Sequence, residues 1–154
     1  MKVEAGNLAP EFTLFNSEKK EVSLKDCRGT KVVLMFFPAA FTSTCTTQMC
    51  TMDDELEWYN GLNAKVFGIS TDTLFTLARY KQEHNLRFDL LSDFNKEVSA
   101  GYGALYDTFF YNMKGVSRRA AFVIDETGKV IYAEVLENAG DLPDFNKVKA
   151  AVEG

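Results

Sequence analysis

The sequence predicts an α/β protein with a central mixed β-sheet flanked by helices and a β-hairpin near its N-terminus. Three observations carry that expectation. Residues 31–37 and 64–70 are apolar runs of strand length, each followed by a segment with helical apolar spacing. Two later apolar runs, 119–125 and 129–136, flank Glu126-Thr127-Gly128, which has the composition of a tight turn. The 154 residues, 46% hydrophobic and 25% charged, suffice for one packed domain, expected to cover residues 1–154.

In chain order, residues 11–15 read as a first strand with Phe12 and Leu14 on one side, and residues 21–24 as a second with Val22 and Leu24 in alternation. The polar stretch Asn16-Ser17-Glu18-Lys19-Lys20 joins them as a hairpin, and Asp26-Cys27-Arg28-Gly29-Thr30 is a loop. Residues 31–37, apolar on both faces, have the pattern of a central strand. A helix is expected over 43–59, because Cys45, Met49, Met52, Leu56 and Tyr59 recur at four-three-four-three spacing and Gly61 can stop it. Strand 64–70 follows, then a helix started by Asp72 or Thr73 and ending near Asn85, a short strand at 88–91 and a short helix at 95–102. Residues 104–117 form an aromatic loop with Tyr106, Phe109, Phe110 and Tyr111. After the 119–136 hairpin, Phe145, Val148 and Val152 mark one face of a closing helix. The order β-β-β-α-β-α-β-α-β-β-α fits a thioredoxin-type layout with an added N-terminal hairpin.

Composition narrows the function. A net charge of -5 argues against a nucleic-acid groove or an anionic membrane surface as partner. No run approaches a membrane span, and Met1-Lys2-Val3-Glu4-Ala5-Gly6-Asn7 has no apolar signal core, so a cytoplasmic location is expected. The three cysteines, Cys27, Cys45 and Cys50, are an odd count, which in a reducing compartment points to reactive or buried thiols rather than a disulfide scaffold.

The chemistry centres on Cys45. Pro38 ends the strongest strand, and Thr42, Ser43 or Thr44 can cap the helix that follows. Cys45 then falls in the first turn, where unpaired backbone N–H groups and the helix dipole favour an anion. A thiol so placed tends toward thiolate, the nucleophilic form. The competing reading is an inert buried cysteine that fills the apolar stripe. A thiolate attacking an O–O bond needs donors on the oxygens and little water. The Thr42 hydroxyl and the N–H groups of Thr44 and Cys45 are candidates for the first need, Pro38 for the second. Proline also simply ends strands, and threonine simply caps helices.

Pro38-x-x-x-Thr42-x-x-Cys45 resembles the active-site signature of the peroxiredoxins, thiol peroxidases on a thioredoxin-like fold. The resemblance runs through Ala9-Pro10-Glu11-Phe12-Thr13-Leu14, Leu91-Ser92-Asp93-Phe94 and Arg119-Ala120-Ala121-Phe122-Val123-Ile124-Asp125. Phe37-Pro38-Ala39-Ala40-Phe41-Thr42 with Leu91-Ser92-Asp93-Phe94 is most similar to the alkyl hydroperoxide reductase E-like branch. By this resemblance Cys45 is the peroxidatic cysteine, Thr42 holds the peroxide, Pro38 shields the pocket and Arg119 is the active-site arginine. Gln48 stands where many relatives carry an acidic or amide residue that orients the arginine. Arg118, its strand neighbour, points the other way. The resemblance implies a peroxide substrate, a thioredoxin-like or glutaredoxin-like reductant, a homodimer, and no metal or other cofactor.

Cys50 sets the subclass. Five residues of helix are about 140° of rotation and about 7.5 Å of rise, while a disulfide needs Cα atoms within about 7 Å. Cys45 and Cys50 therefore do not bond while the helix is intact. The spacing is similar to that of bacterioferritin comigratory-type peroxiredoxins, which implies a disulfide formed after this helix unwinds. A one-cysteine cycle with an external thiol is the alternative. Cys27 reads as a thiol without a role, and His84 as a cation suited to a helix C-terminus. The acidic run Asp53-Asp54-Glu55 with Glu57 reads as a solvated helix face. Two rivals remain. A disulfide reductase would use Cys-x-x-Cys and a cis-proline, where this chain has Val116-Ser117-Arg118. A non-enzymatic redox-sensing module would keep an oxidisable Cys45 without the residues that speed it.

Overall fold

The computed structural model describes residues 2–154; Met1, part of the stretch read above for a signal core, lies outside the described residues. The strands are β1 (Thr13–Asn16), β2 (Glu21–Ser23), β3 (Lys31–Phe36), β4 (Ala64–Ser70), β5 (Asp89–Ser92), β6 (Ala120–Ile124) and β7 (Val130–Val135). The helices are α1 (Ser43–Asp54), α2 (Leu56–Gly61), α3 (Leu74–Glu83), α4 (Glu97–Gly101) and α5 (Phe145–Glu153). One seven-stranded sheet runs β2-β1-β5-β4-β3-β6-β7. The β3–β4 and β4–β5 pairs are parallel and all others antiparallel, so the expected mixed sheet and both hairpins are present.

β3 lies between β4 and β6, and its side chains alternate between two cores. Val33, Met35 and Phe37 join Met49, Met52, Leu77 and Val148 on the face carrying α1, α3 and α5. Val32, Leu34 and Phe36 join Phe12, Tyr102 and Phe122 on the other. Period-two alternation with both faces covered is why this run is apolar throughout.

The helix expected over 43–59 is two helices. The chain breaks at Glu55 (φ -105°, ψ 11°), which ends α1 and starts α2. Three consecutive acids at the C-terminus of α1 oppose its dipole. Arg87 Nη2 bonds the Asp53 carbonyl at 2.6 Å and so terminates the ladder there. The break keeps the apolar stripe on one side: Cys45, Met49, Met52, Leu56 and Tyr59 are all buried. The acidic run is correspondingly more than a solvated face, since Asp53 and Glu57 pair with Arg87, and Glu55 with Lys149. One smaller correction follows: the 26–30 loop begins inside a 3-10 helix, Leu24–Cys27. Of the two starts expected for the next helix, Thr73 is the one that caps α3, its hydroxyl accepting from Thr76 N–H at 3.2 Å.

Gly68 is where α1 meets the sheet. A Cβ there would sit 2.7 Å from Leu90 Cδ2 and 3.0 Å from Met49 Sδ, both on fully buried side chains. Gly68→Ala is expected to cost about 1–3 kcal/mol of stability through overpacking. Urea unfolding checks this: the midpoint should fall at unchanged slope, and a midpoint at or above wild type would contradict the packing argument.

Candidate active site

The loops after β3, β4 and β5 lie at one end of the three parallel strands, the end at which open α/β sheets bind ligands. They are stitched together. Asp93 N–H donates to Ser70 O at 2.7 Å, Ser92 Oγ to Asp72 O at 2.6 Å, and Ala40 N–H to Asp72 Oδ2 at 2.9 Å. Ser70 Oγ donates to the same carboxylate oxygen at 2.7 Å. Asp72 thus fixes the turn between β3 and α1, in which Phe41 takes a left-handed φ of 68°, uncommon for a bulky residue.

That turn delivers Cys45 to the third position of α1. Thr42 is the N-cap, and its carbonyl accepts from Thr46 N–H at 3.0 Å. Its hydroxyl does not cap the helix; it donates to Ala39 O at 2.8 Å. The N–H groups of Thr44 and Cys45 lie in the first turn, where the helix offers them no acceptor. Pro38 is buried and Thr42 exposed.

Arg119 immediately precedes β6 and is 2% exposed. Strand alternation decides its direction: Ala121 and Val123 face the core that holds Cys45, Ala120 and Phe122 the opposite one. Arg119 shares the first side. Its Nη1 donates to Cys45 Sγ at 3.3 Å and to Gln48 Oε1 at 2.8 Å, and its Nη2 to Ala139 O at 2.7 Å. Nε has no partner among the described residues. Gln48, fully buried one turn after Cys45, is oriented by its Nε2, which donates to Phe36 O at 3.3 Å. Arg118 instead stacks on Tyr106, its guanidinium 5.1 Å from the ring centre.

The structure therefore brings Cys45, Arg119 and Gln48 together through hydrogen bonds, with Thr42 and Pro38 on the adjoining turn. Cys50 lies farther along the same continuous helix, half-buried, and all three cysteines are free. Burial first, then Asp54 and Asp53, push its thiol above the ordinary range. Cys27 is buried on the other face, where burial likewise pushes its thiol up. His84 ends α3 against the Tyr80 ring, 5.0 Å between centres. Sequence reasoning missed two residues, Asp72 and Ala139. Asp72 carried no signal beyond a helix start, and a backbone carbonyl carries none at all.

Among solved structures, peroxidoxin BcpB from Mycobacterium tuberculosis is similar over 98% of this chain and 97% of its own, at 27% identity and a TM-score of 0.87. A peroxiredoxin-like protein from Aquifex aeolicus shares the fold at a TM-score of 0.90 and 23% identity, over 99% and 88% of the two chains. These likenesses define a thioredoxin-like protein of the peroxiredoxin class. The chain belongs to the AhpC/TSA family, which matches residues 5–133. A putative peroxiredoxin of Mycobacterium tuberculosis (strain ATCC 25618 / H37Rv) is 38% identical over 135 residues, 86% of this chain and 85% of that one. Peroxiredoxin Bcp of Escherichia coli (strain K12) is 34% identical over 130 residues, 83% of each.

Removing the Asp72 carboxylate leaves Ala40 N–H and the Ser70 hydroxyl without their acceptor. Asp72→Ala should cost about 1–3 kcal/mol, whereas Asp72→Asn, which keeps an oxygen there, should recover most of it. Thermal unfolding of the two variants side by side tests this; equal losses would mean the carbonyl-type acceptor is not what matters.

Proposed function

We propose that Cys45 is the reacting sulfur of this thiol-dependent peroxidase, and that it reduces hydrogen peroxide and organic hydroperoxides. The single observation that carries the reading is the buried guanidinium donating to Cys45 Sγ at 3.3 Å. Arginine keeps its charge at any working pH, so the sulfur always faces a cation. Gln48 strengthens the case, because a neutral amide orients the guanidinium without offsetting its charge. The thiolate attacks one peroxide oxygen; an S–O bond forms, the O–O bond breaks, and the departing oxygen takes a proton to leave as water or alcohol. Arg119, the free amides of Thr44 and Cys45 and the Thr42 hydroxyl meet the charge that develops on the oxygens. Thr42 must first release Ala39 O. Pro38, lacking an N–H, closes the site on the strand side.

Cys50 resolves the sulfenic acid. Its proton passes to solvent, its sulfur bonds to that of Cys45, and the hydroxyl on Cys45 leaves as water. The helix must open for this, and α1 is built to open. Thr47 and Thr51 turn their hydroxyls back to the carbonyls of Ser43 and Thr47, which weakens a helix. The last turn carries acids and no base, and the break at Glu55 lets α1 melt without α2. Relatives named Bcp support the same branch. The alkyl hydroperoxide reductase E-like features of the 37–42 and 91–94 segments concern the loops around the site rather than the resolving step. A thioredoxin-like or glutaredoxin-like dithiol then reduces the disulfide by exchange.

Residues 1–154 act as one domain, and three free thiols suit a reducing compartment such as the cytoplasm. A homodimer is supported by the exposed aromatic loop, where Phe110 is 63% and Tyr111 94% exposed.

Cys45→Ser should abolish peroxide consumption, and Arg119→Met should slow the first oxidation by about 100- to 1,000-fold. Cys50→Ser should keep that step yet accumulate sulfenic acid. Stopped-flow kinetics with mass analysis reads all three; a Cys45–Cys50 disulfide missing from wild type would instead support the one-cysteine cycle. The second step should also depend on pH. Burial raises the Cys50 thiol in the folded helix, so above the ordinary thiol pKa of about 8.5 the unwound helix binds fewer protons than the folded one. Rising pH then favours both unwinding and thiolate. Disulfide formation should accelerate from about pH 7 to about pH 9.5; a flat profile would count against Cys50.

A further inference from the structure

Besides the bonds that Arg119 gives to Cys45 Sγ and Gln48 Oε1, α1 is fastened near its start by a second hydrogen-bond chain that touches neither. Tyr80, on α3, is fully buried. Its hydroxyl donates to Thr46 Oγ1 at 2.9 Å, and Thr46 Oγ1 donates to Thr42 O at 2.8 Å. The Tyr80 ring packs edge-on against Phe41, 5.1 Å between centres, and lies 6.1 Å from Phe37. The residue therefore grips both the turn before α1 and the first turn of α1 itself. Thr46 lies between the two cysteines, and the turn it closes must unwind before Cys50 can reach Cys45.

We propose that Tyr80 is a positioning residue that latches α1 closed, and that release of its hydroxyl from Thr46 sets the rate at which Cys50 reaches oxidised Cys45. This rests on the reading that Cys50 is the resolving thiol. The latch acts only on the second step: it leaves the S–O bond-forming attack on peroxide alone, and slows the exchange in which the S–S bond forms and hydroxide leaves with the Cys50 proton as water. Burial pushes the Tyr80 phenol up to about 12. It therefore remains a donor throughout the range in which thiols ionise, and the latch does not loosen on its own as pH rises. A helix opening of this kind is a local unfolding event whose frequency follows the bonds that oppose it.

Tyr80→Phe is a clean test. It removes one hydroxyl, keeps the ring packing, and leaves the Thr46 hydroxyl still donating to Thr42 O. Three variants, Tyr80→Phe, Thr46→Val and the double substitution, are compared with wild type. The rate of Cys45 oxidation by peroxide should stay within about twofold in Tyr80→Phe, while Cys45–Cys50 disulfide formation rises about 3- to 10-fold, the span expected for one hydrogen bond. The double variant should gain less than the product of the singles, because both remove the same bond. Hydrogen exchange of the α1 amides should quicken by a similar factor. An unchanged disulfide rate in Tyr80→Phe, equal changes in both steps, or unchanged α1 exchange would each overturn the latch. Absence of any Cys45–Cys50 disulfide in wild type would overturn the Cys50 reading instead, a result visible before any variant is made.

Discussion

A buried guanidinium against a buried sulfur is the contact on which the arrangement depends. Arg119 is almost wholly removed from water, and a cation in that position is costly unless its donors are used. Cys45, Gln48 and the Ala139 carbonyl accept three of them. These partners come from the first turns of α1 and the chain after β7, so the charge can be held only when the sheet, α1 and the C-terminal segment are all in place. The same contact that gives the sulfur its cation ties the site to the completed fold.

The site also contains a conflict. As the proposed reacting sulfur, Cys45 needs a rigid first turn so that its sulfur, the helix amides and Arg119 stay aligned. Cys50, the proposed resolving thiol on the same helix, needs that turn to give way. The chain answers with a helix of weak composition held from outside. α1 is rich in threonine, which favours alternatives to the helix, and ends in acids that oppose its dipole. The Phe36 carbonyl, Tyr80 and Arg87 fasten it from the sheet, from α3 and from the segment before β5. Holding a weak helix by a few discrete bonds lets it be both ordered and releasable, which a strong helix would not allow.

Much of this was legible beforehand. The strands over 31–37 and 64–70 and both hairpins were readable because period-two alternation and turn residues are local signals. Phe12, Phe36, Tyr102 and Phe122 form one aromatic cluster, and no local signal announces such a meeting. The helix over 43–59 was read as continuous because its apolar stripe is continuous; the break at Glu55 preserves the stripe and depends on Arg87, more than 30 residues away. Thr42 was readable as a helix start, but the choice of its hydroxyl for Ala39 O was not.

By itself the sequence determined the order of elements and the place of Cys45 in the first turn of α1, since each follows from spacing along one segment, while the resemblance around Arg119 singled it out from Arg118. The tertiary structure alone decided what surrounds the sulfur and what holds α1 shut. The Asp72 carboxylate on Ala40, the Ala139 carbonyl on Arg119 and the Tyr80 hydroxyl on Thr46 join residues between 20 and 34 positions apart. Such bonds exist only after the sheet has brought those segments together, so no local pattern can carry them.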